Sequence, residues 1–71
     1  MKNILSYTSD TKIKGKEIKE WILYNINHQT SLSREAKKME KYLNIDDDQE
    51  YIINKGTYQA SARSYQIIRV E

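Results

Sequence analysis

The chain contains no cysteine, no proline and no phenylalanine, and only two glycines and one tryptophan among its 71 residues. Without cysteine, neither a disulfide framework nor a thiolate metal site can staple the fold, which fits a reducing compartment. Without phenylalanine, aliphatic residues and the six tyrosines must fill the core. Gly15 and Gly56 stand alone, so there is no glycine-rich loop to cradle a phosphate. The single histidine, His28, has no nucleophile and orienting group at a catalytic spacing, and it reads instead as a cation at a helix C-terminus. No run approaches the roughly 20 apolar residues that span a bilayer. Met1–Leu5 shows neither the long apolar stretch nor the cleavage-like site of a signal peptide, so a cytoplasmic protein is expected.

This length reads as one small domain over residues 1–71. Such a chain buries only about 60% of its unfolded surface. Few apolar residues remain to line a deep pocket, so no cofactor is expected. Ile, Lys, Asn and Tyr supply 30 of the 71 residues, a bias towards AT-rich codons that suits a phage or mobile element.

The net charge is +2, and its distribution says more than its size. Residues 12–20 carry four lysines against two glutamates. Arg34, Lys37, Lys38 and Lys41 stand against Glu35 and Glu40, and residues 46–50 hold four acids and no base. With acid concentrated in one loop, much of the remaining surface is positive and can be steered towards polyanions. The Asp46-Asp47-Asp48-Gln49-Glu50 run lacks the glycine and distal glutamate of a calcium loop, so no metal site is expected.

Hydrophobic periodicity predicts an α+β fold in the order β-α-α-β-β-β, with the last element either separate or part of one long hairpin. Asn3–Thr8 reads as a short strand. A helix is expected from about Lys16 to Asn27, with Ile18, Trp21, Ile22 and Ile26 as its apolar stripe and Leu23 widening it. His28–Ser31 is a short connection, and Ser31 or Ser33 is the expected N-cap of a second helix running to about Asn44. The C-terminal third is β-branched and aromatic, with turns expected at Asn54-Lys55-Gly56 and at Ser61-Ala62-Arg63-Ser64.

On the second helix, Leu32, Ala36, Met39 and Leu43 share one face. Arg34, Lys37, Lys38 and Lys41 form an unbroken ridge opposite, with Glu35 and Glu40 on the flanks. Lysines suit charge neutralisation, and only Arg34 carries the planar fork that reads a base edge. Two helices followed by a C-terminal hairpin carrying Lys55 and Arg63 loosely resemble winged-helix proteins, in which a helix enters the major groove and the hairpin touches the backbone. A third helix would have to come from Asp46–Asn54, which reads better as loop and strand. Tyr58 and Tyr65, with Arg63 and Arg69 nearby, are candidates for stacking unpaired bases, although half or more of the tyrosines are expected to be structural.

The expectation is therefore a non-enzymatic accessory protein that binds DNA or RNA through Arg34, Lys37, Lys38 and Lys41, with Lys55, Arg63 and Arg69 adding contacts. The competing readings are a protein-interaction module that inhibits or adapts a larger host protein, with Trp21 and the tyrosines as anchors, and a homodimer that covers its own apolar faces.

Overall fold

In the computed structural model the described residues are 3–8, 10–59 and 62–71, excluding the side chains of 55–64. Ile4–Ser6 forms a 3₁₀ turn rather than the expected strand. The Asn3 side chain accepts the Leu5 N–H at 3.0 Å, and the Ser6 hydroxyl donates to the Asn3 carbonyl at 2.7 Å. Successive residues Ile4 and Leu5 are both buried, which a strand with alternating faces cannot achieve against a one-sided core. The N-terminal strand instead lies at Ile13–Lys14 (β1).

Helix α1 spans Gly15–Asn27 and buries Ile18, Trp21 and Ile22, with Ile26 partly covered. Leu23 faces outward, so the stripe is narrower than its sequence implies. The start of α1 has no side-chain cap. Backbone from the acidic loop takes that role: the Gly15 N–H donates to the Gln49 carbonyl at 2.9 Å and the Lys16 N–H to the Asp47 carbonyl at 3.2 Å. These bonds satisfy two of the orphan donors at a helix start, and the loop's acids lie at the positive end of the helix dipole. A Cβ at Gly15 would fall 2.0 Å from the Asp46 carbonyl oxygen, so glycine is required by close approach.

The second helix is shorter than its periodicity predicts. Helix α2 covers only Ser33–Lys38, and Glu40–Asn44 continues as a 3₁₀ turn. At Met39 the N–H is shared between the Glu35 and Ala36 carbonyls. With three residues per turn, Tyr42 and then Ile45 follow Met39 along the same side, and both pack against the core together with Leu43. Neither Ser31 nor Ser33 caps α2, because the Thr30 hydroxyl accepts the Leu32 N–H at 3.1 Å instead.

Strands β2 (Glu50–Gln59) and β3 (Ala62–Arg69) form one long hairpin, and the antiparallel sheet order is β1-β2-β3. Asn54-Lys55-Gly56 makes no turn; pairing runs on from Lys55↔Tyr65 to Tyr58↔Arg63 with a one-residue slip of register between them. Ala62, Arg63 and Ser64 likewise belong to β3, and Ser61 lies outside the described residues. Asp46–Asn54 provides no third helix, so the winged-helix outline is incomplete, as its loop-and-strand pattern predicts. Tyr51 and Ile53 of β2 complete a core that also holds Ile4, Leu5, Ile13, Ile18, Trp21, Ile22, Ala36 and Met39. No helix among the described residues is long and apolar enough to cross a membrane.

Candidate functional site

Two lysine-rich segments flank the core, and the fold treats them differently. The first is engaged in part by the acidic loop, with Lys12 and Lys16 left exposed. Lys19 Nζ lies 2.8 Å from Asp47 Oδ1, and Lys14 Nζ donates to the Asp48 carbonyl at 3.2 Å. The second segment has no such partner. Arg34, Lys37, Lys38 and Lys41 are all exposed, and among the described residues none forms a salt bridge. Glu35 and Glu40 do not neutralise them. One carboxylate oxygen of Glu35, Oε2, is buried and accepts no hydrogen bond, so it is withdrawn from the cationic surface.

The helix break corrects the expected ridge. Arg34, Lys37 and Lys38 stand on α2, whereas Lys41 belongs to the 3₁₀ turn, with its ammonium 5.3 Å from the centre of the Tyr42 ring. That distance is within cation–π range and orders the Lys41 stem without neutralising its charge.

Arg34 and Lys37 also line a groove of about 440 Å³ together with Ile26, Gln29 and Ser33. The groove sits where α1 ends and α2 begins, and that junction is tightly specified. Buried Asn25 donates to the Trp21 carbonyl at 2.8 Å and accepts the Thr30 hydroxyl. The Thr30 N–H bonds to the Asn25 carbonyl and the Gln29 N–H to the Ile26 carbonyl, the paired bonds of a Schellman closure. Gln29 occupies its left-handed position, with φ 49°. Glycine is the usual residue there. The groove and Gln29 are absent from the sequence-based site. No glycine stands in His28–Ser31 to mark a left-handed closure, so the sequence carries no local signal for Gln29.

The remaining expected site residues do not join this groove. Arg69 is exposed at the end of β3, opposite Tyr51, whose ring lies against Gly15 at the start of α1. The groove lies near the other end of that helix, beside Ile26. Tyr65 is half-buried and packs against the core, so it is a structural residue more than a free stacking platform. Tyr7, Tyr42 and Tyr51 are committed to the core in the same way. Lys55 and Tyr58 on β2 and Arg63 on β3 are placed by backbone register only, since their side chains lie outside the described residues.

Trp21 is fully enclosed, which removes it as an interface anchor. The His28 ring stacks on Tyr24 with centroids 4.2 Å apart, and its Nδ1–H donates to the Tyr24 carbonyl at 2.9 Å. That contact places the imidazole on the carbonyls at the end of α1, as its position in sequence predicts. Partial burial and the neighbouring Glu17 carboxylate, which accepts its hydroxyl at 3.2 Å, raise the Tyr7 phenol above the ordinary tyrosine range. Compared with known protein families, curated proteins and solved structures, the chain matches none.

Proposed function

We propose that this chain is a small, non-enzymatic, cytoplasmic protein that binds nucleic acid through the cationic surface of α2 and the turn after it. The observation that carries this reading is the contrast between the two lysine-rich segments. One gives Lys19 to Asp47 and leaves Lys12 and Lys16 without an ion pair, and the other presents all four of Arg34, Lys37, Lys38 and Lys41 to solvent without an acidic partner among the described residues. Four such cations can neutralise phosphates and release their counterions. Three of the four are lysines, so affinity should depend little on sequence.

Fluorescence anisotropy of labelled DNA and RNA tests this reading at about 50 and 200 mM salt, a range over which several phosphate contacts produce a steep loss of affinity. The K37A/K38A/K41A variant should weaken binding alike for all sequences and flatten the salt dependence. Binding that survives the triple change would remove the assignment.

A second reading, a protein-interaction module, is favoured by one observation. β3 is an edge strand, and its Ile68 side chain is exposed on the outer face. Such an edge can accept a partner strand. Association that persists after nuclease treatment would select this reading over the first.

A further inference from the structure

The groove at the α1–α2 junction has more than cations. Ile26 supplies a half-buried apolar wall, Ser33 a hydroxyl, and Gln29 an amide that offers both a donor and an acceptor. At about 440 Å³ the groove has more room than a lone phosphate needs, and it is widely open to solvent. Gln29 also holds a left-handed backbone conformation that glycine would adopt with less strain.

We propose that this groove holds one unstacked nucleotide of a single strand, with Arg34 and Lys37 on its phosphate and the Gln29 amide on the edge of its base. A duplex keeps its bases stacked and their pairing edges occupied, so only an unpaired strand can place a base against Ile26 and Gln29. The ligand class is therefore single-stranded DNA or RNA. The inference rests on the nucleic-acid reading and narrows it.

The test uses the full chain with short labelled single strands, a duplex of matching length, and inorganic polyphosphate as competitor. Single strands should bind more tightly than the duplex, and polyphosphate should compete poorly at equal charge. Gln29→Gly should lower single-strand affinity roughly three- to tenfold, the loss expected for a hydrogen bond. It should leave the salt dependence unchanged and the thermal midpoint at or above that of the parent, which separates lost contact from lost fold. If the duplex binds as tightly as the single strand, or Gln29→Gly binds unchanged while the triple lysine variant weakens, the groove assignment falls and the cationic surface stands. If polyphosphate competes as well as the single strand, the base contact is overturned. If no nucleic acid binds at low salt, both readings fall together.

Discussion

Lys19 Nζ lies 2.8 Å from Asp47 Oδ1, a contact made across 28 positions of sequence. It joins the middle of α1 to the loop that caps the start of the same helix. The pair is solvent-accessible, with the two side chains 25% and 58% exposed, so it adds only about 0.2–1 kcal/mol to stability. Its larger effect is on the surface field, because it cancels one cation of a segment that in sequence looks as basic as α2. Lys19→Ala should therefore leave nucleic-acid affinity within about twofold of the parent, whereas Lys37→Ala should reduce the salt slope by roughly one. Titrations at several salt concentrations compare the two directly. Equal losses would mean that charge is read over the whole molecule and not at α2.

Gly15 is fixed by the Asp46 carbonyl, which approaches to where a side chain would begin. Gly15→Ala should cost about 1–3 kcal/mol through overpacking, despite the better helix propensity of alanine. Urea unfolding followed by Trp21 fluorescence measures the loss. An unchanged midpoint would show that the 46–49 backbone moves aside without penalty.

Thr30 is the hinge of the α1–α2 junction. Its hydroxyl donates to the Asn25 side chain and accepts the Leu32 N–H. Thr30→Val keeps the shape and removes both bonds, leaving a buried amide oxygen unsatisfied at a cost of about 1–3 kcal/mol. Thr30→Ser should recover most of that loss. A Thr30→Val variant as stable as the parent, or a Thr30→Ser variant less stable than Thr30→Val, would assign the junction to the methyl group instead of the hydroxyl.

Some of this architecture is local information. Ile18, Trp21 and Ile22 recur at the helical period and are the buried face of α1, so its existence and orientation follow from spacing alone. The long hairpin is half legible: β-branched and aromatic residues mark the strands, but Asn54-Lys55-Gly56 carries the composition of a turn and lies within β2. Cross-strand pairing on both sides of the slip outweighs that local preference. Ile4 and Leu5 fit either a strand or a tight turn, and the Asn3 side chain decides between them.

Charge patterning on one segment is enough to identify Arg34, Lys37, Lys38 and Lys41 as the candidate surface. Which lysines remain unpaired is not a local property. It depends on an acidic loop brought by the chain's return to Lys14 and Lys19, far away in sequence. The groove is equally non-local, since its walls come from two helices and its angle is set by Asn25 and Thr30. The helical periods follow from residue type because side-chain burial repeats with the backbone. The end of α2 and the pairing of Lys19 were decided by tertiary packing, because each depends on atoms supplied by another part of the chain.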